Sequence, residues 1–145
     1  MEELIQKKNI EVNIDVDNWE DAIKSVGNLL MNSKQIEDGY VNSMINSVKE
    51  LGPYIVLSQG FALAHAAPNT ETVHKPSLAI VTLKKPVKFG SPNDPVKVLM
   101  CLACMDKATH LDLLSKAAKK LMQENFVENA VKCKTVDELY HVIND

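Results

Sequence analysis

The fold is decided by a nearly continuous apolar run, Val96-Lys-Val-Leu-Met-Cys-Leu-Ala-Cys-Met105. A strand with this pattern is buried on both faces, which is typical of a central strand covered by helices on both sides of its sheet. A second apolar run, Ser77–Leu83, precedes it, and the segment between the two contains Gly90 and three prolines, the first of them Pro86. We therefore predict two central strands joined by a loop.

Helical periodicity appears on both sides of this block. Before the central strands, the sequence predicts a strand over 11–16, a helix opened by Asp17 with Glu20, and a helix from Glu37 to Leu51. It then predicts two extended segments, over 54–57 and 61–64, joined by a turn at 58–60. After them, it predicts a helix opened by Thr109 with Asp112, a short segment over 126–131 and a last helix opened by Thr135 with Glu138. The helix from Thr109 is expected to turn Leu111, Leu114, Ala118, Leu121 and Met122 inward, and Lys116, Lys119 and Lys120 outward.

Helices on both sides of a block of strands predict an α/β fold with a central mixed β-sheet flanked by helices. The length of 145 residues fits a single layered domain over residues 1–145. No apolar stretch approaches the roughly 18–20 residues that span a bilayer, and the N-terminus lacks the pattern of a signal peptide. We therefore expect a cytoplasmic protein without direct membrane insertion.

The charge pattern excludes one class of partner and restricts the chemistry of any anion site. A net charge of −3 and a pI near 5.8 argue against nucleic-acid binding, because such domains carry a basic patch. All 16 basic residues are lysine. Without the guanidinium fork, an anion has to be held by lysine, histidine or backbone N–H groups.

The cysteines and glycines do not form a cofactor motif. Cys101 and Cys104 match a C-x-x-C pattern, but in a strand their side chains point to opposite faces, so we expect reduced, packed thiols. The scattered glycines form neither a phosphate-binding loop nor a dinucleotide fingerprint. We expect no metal and no nucleotide cofactor.

Two of the four histidines lie at element boundaries. His65 ends the piece Phe61–Ala64 and has small neighbours, which would let a partner approach its ring. His110 lies near the predicted start of a helix, where the partial positive charge disfavours protonated imidazole and favours an anion. A single histidine in either setting is more often structural, so these positions alone do not assign a function.

The segments from the centre onward occur in a recognisable order: Gly52-Pro-Tyr-Ile-Val-Leu-Ser-Gln-Gly-Phe-Ala-Leu-Ala-His-Ala-Ala-Pro68, the strand Ser77–Leu83, the loop Val87-Lys-Phe-Gly90, the run from Val98 and then His110. Together they resemble the enzyme IIA domain of the mannitol/fructose class of the bacterial phosphoenolpyruvate-dependent sugar phosphotransferase system. The resemblance extends from about Trp19 to the C-terminus.

This resemblance implies roles for both histidines. The family's phosphoryl carrier maps onto His65, with Ala64 where the family commonly has proline. A second histidine, which helps to hold the phosphoryl group, maps onto His110. Mannitol members have an arginine on the second helix in a Y-x-x-A-M-L-x-R frame, which Tyr40–Ser47 follows except that it ends in Ser47. This difference favours the ascorbate-type enzyme IIA proteins.

Donors to a phosphoryl group therefore have to come from residues other than arginine. The candidates are His110, the amides at the N-terminus of its helix, Gln59, Ser58 and Ser47.

The resemblance also implies partners. The chain would accept phosphate from phospho-HPr on His65 and pass it to a cysteine of an enzyme IIB, with the membrane enzyme IIC as an indirect partner. Ascorbate or a related sugar is favoured, and fructose, galactitol and mannitol are alternatives because the membrane subunit binds the sugar. Two other interpretations stay open, a phosphorylatable module that controls a transcription regulator and a metal-binding or interaction domain. A homodimer is also left open.

Overall fold

The computed structural model describes residues 3–145, with five strands and five helices in that range. The strands are β1 (Ile10–Ile14), β2 (Val56–Ser58), β3 (Phe61–Ala64), β4 (Ser77–Val87) and β5 (Val96–Ala103). The helices are α1 (Trp19–Asn32), α2 (Asp38–Leu51), α3 (Lys107–Leu121), α4 (Phe126–Val131) and α5 (Val136–Asn144), and a 3-10 turn, Lys7–Asn9, precedes β1.

The strands form one mixed sheet in the order β1-β4-β5-β3-β2. β4 and β5 pair antiparallel at its centre, β1 is parallel to β4, and β3 is parallel to β5. The short β2 pairs antiparallel with β3 at one edge. The predicted α/β class, the mixed sheet and the two central strands are confirmed.

Helices cover both faces of this sheet, and β5 contributes to both cores. Leu99 and Cys101 belong to the cluster that α1 and α2 complete, whereas Met100 and Cys104 belong to the cluster that α3, α4 and α5 complete. The alternation of side chains along a strand accounts for this division. It also places the two cysteines on opposite faces, as predicted.

Two predicted helix starts were wrong by one to three residues. α1 is capped by Asn18, whose Oδ1 accepts the N–H of Asp21 at 2.8 Å, and not by Asp17. α3 is capped by Asp106, whose Oδ1 accepts the N–H of Thr109 at 2.8 Å. At each of these helix starts, two residues that cap well lie within three positions of each other. The residue types alone therefore did not decide which of the two forms the cap.

The inward face of α3 also differs from the prediction. Leu111 is 53% exposed and Met122 is 83% exposed, whereas Ala117 and Lys120 are buried. Leu113, Leu114 and Leu121 pack against the core on this side of the sheet, so the buried face is centred on Ala117 and leaves Leu111 outside it. Lys120 tolerates burial because its Nζ donates to the backbone carbonyl of Asp145 at 2.8 Å.

β4 is longer than predicted, because it continues through Pro86 to Val87. Lys84, Lys85 and Pro86 are exposed, and the pairing with β5 is irregular between Thr82 and Val87. Proline lacks an N–H, so a strand accepts it where the ladder is interrupted. Within residues 3–145, the helices are too short or too polar to cross a membrane.

Substitution of Leu99 should show how far stability depends on β5. Leu99 is fully buried, so Leu99→Ala should lower the free energy of unfolding by about 2–5 kcal/mol in urea denaturation. Leu51 is 71% exposed, and Leu51→Ala should change the same quantity by less than about 0.5 kcal/mol. Equal losses for the two variants would contradict the burial of β5.

Candidate functional site

Parallel pairing brings the two predicted histidines together. β3 and β5 pair from Phe61–Val98 to Ala64–Cys101, so their carboxyl ends lie at the same edge of the sheet. His65 directly follows β3, and His110 lies in the first turns of α3, just beyond β5. Their ring centroids are 5.7 Å apart, with 58° between the ring planes. One small anionic group can therefore contact both rings.

A backbone hydrogen bond selects the tautomer of His65. Its Nδ1 lies 2.8 Å from the carbonyl oxygen of Leu63. A carbonyl only accepts, so the neutral ring must carry its proton on Nδ1 and donate it to this oxygen. The lone pair of Nε2 is left free, which makes Nε2 the nucleophilic nitrogen of the ring.

Tyr54 supports His65 from the side, a contact that the sequence did not predict. The two rings meet edge to face with their centroids 5.3 Å apart. The Tyr54 hydroxyl donates to the carbonyl oxygen of His65 at 3.3 Å. Tyr54 lies in a β-prone run, where an aromatic residue is typical of a core position, so the pattern contained no signal for this role.

His110 is half-buried and neutral. Burial lowers its pKa below the ordinary 6.5, and the nearby His65 lowers the pKa further. Its Nδ1 is buried without a hydrogen-bond partner among the described residues. A proton on Nδ1 would be a buried donor without an acceptor, so the favoured tautomer carries the proton on Nε2. His110 can therefore donate a hydrogen bond from Nε2.

The N-terminus of α3 is occupied by its own cap. The Asp106 carboxylate accepts the N–H of Thr109 at 2.8 Å and its hydroxyl at 3.0 Å. These bonds lower the pKa of Asp106, so the carboxylate is ionised at neutral pH. An anion would meet this negative charge at the helix end, which argues against the expected contribution of the helix amides.

Ser58 and Gln59 lie away from the two histidines. They belong to the connection between β2 and β3, whereas His65 follows the opposite end of β3. Gln59 lines a separate cleft with Asn93 and Lys97. The geometry of this connection therefore removes both residues from the set of expected phosphoryl donors.

Ser47 lies on α2, seven residues after Tyr40 and on the same helical stripe. The helix ends at Leu51, and the following turn leads to Tyr54 beside His65. Ser47 is half-buried and remains a candidate donor.

The thiols are not arranged as a joint site. Burial raises the pKa of Cys101 to about 12, and the Cys101 Sγ contacts the sulfur of Met44 at 3.6 Å. Among residues 3–145, no three His, Cys, Asp or Glu side chains lie close enough together to hold a metal ion.

The titration of His110 should report its contact with His65. In the native chain, NMR should give His110 a pKa below 6.5. His65→Ala should raise this pKa only in part, because burial is the larger cause of the shift. His74→Ala, which removes a histidine that pairs with Glu37, should leave the His110 pKa unchanged. A native His110 pKa at or above 6.5 would contradict the site geometry.

The same shift makes stability depend on pH. The unfolded chain binds a proton at His110 near pH 6.5, before the folded chain does. The contribution of His110 to the free energy of unfolding is therefore fully present above that pH. It is lost as the pH falls from 6.5 towards the folded pKa.

Comparison with known proteins agrees with the fold and with the family resemblance. The family model described as "Phosphoenolpyruvate-dependent sugar phosphotransferase system, EIIA 2" matches residues 3–145. The ascorbate-specific PTS system EIIA component of Shigella boydii is 34% identical over 144 residues, which cover 97% of this chain and 92% of that relative.

Solved structures give the same result. A chain from Streptococcus pyogenes described as a PTS IIA domain has a TM-score of 0.85 and 29% identity, over 94% of this chain and 89% of that one. The mannitol enzyme IIA of Escherichia coli, solved in complex with phosphorylated enzyme IIB, shares the fold with a TM-score of 0.80 and 21% identity, over 96% of each chain. The family resemblance seen in the sequence is confirmed, and this chain belongs to the EIIA type 2 family of the phosphoenolpyruvate-dependent sugar phosphotransferase system.

Proposed function

We propose that this chain is a phosphohistidine carrier, which accepts a phosphoryl group from phospho-HPr on Nε2 of His65 and passes it to a cysteine of an enzyme IIB. The observation that carries this proposal is the hydrogen bond from His65 Nδ1 to the Leu63 carbonyl, 2.8 Å long, which leaves Nε2 free beside a neutral His110. Membership of the EIIA family supplies the reaction class.

The two transfer steps balance without a cofactor. In the first, the lone pair of His65 Nε2 attacks the phosphorus of phospho-HPr, and the bond between that phosphorus and the histidine nitrogen of HPr breaks. In the second, a thiolate of enzyme IIB attacks the same phosphorus and the bond to His65 Nε2 breaks. Each leaving nitrogen regains its lone pair, so the carrier returns to its starting state.

His110 stabilises the transferring group as a neutral donor. Phosphoryl transfer spreads negative charge over the equatorial oxygens, and catalysis consists mainly of positioning and stabilising that charge. His110 Nε2–H donates to one of these oxygens, and Ser47 is a second candidate donor. With hydrogen bonds in place of a fixed guanidinium charge, the phosphoryl group is held less tightly and leaves more readily.

We define a docking rim as Leu51, Tyr54 and Leu111: Tyr54 contacts His65, Leu111 directly follows His110, and Leu51 ends the helix that leads to Tyr54. Leu51 and Leu111 are 71% and 53% exposed, and Tyr54 touches His65 directly. Apolar anchors at the centre of a contact commonly dominate the affinity between proteins. Both partners, HPr and enzyme IIB, would use this rim in turn. The fold relative from Escherichia coli solved with enzyme IIB supports such a complex.

The sugar follows from the relatives and not from the site. Several curated relatives, including one from Escherichia coli at 32% identity, are named ascorbate-specific. Ser47 at the position of the mannitol-branch arginine agrees with this assignment. We therefore propose ascorbate or a related sugar, which a membrane enzyme IIC would bind, and a location in the cytoplasm beside that subunit.

Intact-mass measurement after incubation with phosphoenolpyruvate, enzyme I and HPr tests the carrier role. The native chain should gain one acid-labile phosphate. His65→Ala should gain none because the nucleophile is missing. His110→Ala should gain phosphate but should transfer it to enzyme IIB at least about tenfold more slowly, a loss of ~1.4 kcal/mol of transition-state stabilisation. His141→Ala should behave as the native chain, because His141 lies on α5 and pairs with Asp145.

A native chain that gains no phosphate would refute the carrier role and leave an interaction domain as the better interpretation. A chain that gains phosphate but never passes it to an ascorbate-type enzyme IIB would favour the regulatory module.

The docking rim makes a separate kinetic prediction. Leu111→Ser should raise the KM for phospho-HPr about tenfold, equivalent to ~1.4 kcal/mol of binding, with kcat nearly unchanged. Met122→Ser, at the far end of the same helix, removes an apolar side chain that is 83% exposed and should leave both constants unchanged. If the two serine variants behave alike, the rim is not the docking surface.

A further inference from the structure

A single buried hydroxyl group joins the two chain segments that carry the histidines. Tyr40, on α2, is fully buried. Its hydroxyl donates to the carbonyl oxygen of Leu102 at 2.7 Å and accepts the N–H of Ala66 at 3.0 Å. Ala66 directly follows His65, and Leu102 is the last but one residue of β5, the strand that leads into α3. The Tyr40 hydroxyl therefore contacts the residue next to His65 and the end of the strand that precedes the helix of His110.

The hydroxyl occupies the place where the sheet stops holding these segments together. The ladder between β3 and β5 ends at the pair Ala64–Cys101. Beyond that pair, the Tyr40 oxygen lies between Ala66 and Leu102 and hydrogen-bonds to both. His65 lies between the last ladder pair and this bridge. Its backbone is thus held on both sides.

The environment of Tyr40 keeps this bridge intact over a wide pH range. The ring belongs to the core that α1 and α2 form on the sheet, next to buried side chains such as Met44. Burial raises the pKa of Tyr40 above its ordinary value, so the hydroxyl retains the proton that it donates to Leu102. A buried N–H or carbonyl that lost this partner would be left unsatisfied.

We propose that Tyr40 is a positioning residue for phosphoryl transfer, because its hydroxyl sets the relative placement of the His65 and His110 rings. The effect of Tyr40 on the rate of phosphoryl transfer rests on the proposed function. Its effect on the placement of the two rings does not. Tyr40 itself does not touch the phosphoryl group. A displacement of about 1 Å in a reacting group can cost about a hundredfold in rate, so a bridge of this kind can matter to catalysis.

Kinetics of Tyr40→Phe provide the first test. The variant keeps the ring in the core and removes the bridge. We expect kcat for phosphate uptake from phospho-HPr to fall by about 10- to 100-fold, with KM within about twofold of native, because the docking rim is unchanged.

A stability-matched control separates positioning from general destabilisation. Asn144→Ala removes another buried hydrogen-bonding side chain, whose amide contacts the backbone of Leu4, Ile5 and Tyr140. It should lower Tm by a comparable amount and leave kcat as in the native chain. Equal losses of kcat in the two variants would overturn the proposal.

Nitrogen-15 NMR of the histidines tests the structural part without phosphorylation. In the native chain, His65 should be the Nδ1–H tautomer, and Tyr40→Phe should shift the ring-nitrogen signals of both His65 and His110. Unchanged signals in Tyr40→Phe would overturn the proposal even if its activity fell. If the native chain accepts no phosphate, the proposed function fails, and these spectra still decide the role of Tyr40.

Hydrogen exchange in the native chain covers the case in which Tyr40→Phe does not fold. The Ala66 amide lies outside the strands, yet its bond to Tyr40 should protect it as strongly as the amides of β3. Exchange of the Ala66 amide at the rate of an exposed loop would show that the bridge does not form.

Discussion

The parallel pairing of β3 with β5 is the constraint on which the rest of the site depends. In a parallel pair, the carboxyl ends of both strands reach the same edge of the sheet. Residues that are 45 positions apart in sequence, His65 and His110, therefore lie with their rings 5.7 Å apart. Helices on both faces bury β3 and all of β5 except Lys97, so neither strand can shift without exposing a core. The register of the ladder thus sets the geometry of the histidines.

The chain contains no arginine, so no guanidinium group contributes positive charge to the candidate site. Its histidines are held by hydrogen bonds and ring contacts, with His65 donating to the Leu63 carbonyl and packing against Tyr54. The ionised Asp106 at the start of α3 adds negative charge close by. A phosphoryl group in this environment would be positioned well and bound weakly. Such a balance suits a carrier, which must receive and release the same group.

Much of the fold was predictable because its signals are local. The apolar run from Val96 identified a doubly covered central strand, and Gly52 marked the end of α2, where its φ of 84° requires a residue without a side chain. Errors arose where local signals were ambiguous. Asp106 and Thr109 are both competent caps, and the leucines of α3 fit more than one helical face, of which the structure buries the one that leaves Leu111 exposed.

By itself, the sequence determined the α/β class, the two central strands and the two histidines at element boundaries. These features depend on hydrophobic periodicity and on the positions of glycine, proline and capping residues, which are local signals. Only the tertiary structure decided which side chains surround those histidines. Ser58 and Gln59 are nearer to His65 in sequence than Tyr40 is, but the strand direction carries them to the other end of β3. Tyr40 lies on a separate helix, α2, and its hydroxyl hydrogen-bonds to the backbone of Ala66 and Leu102. Contacts of this kind depend on packing between distant segments, and no local pattern encodes them.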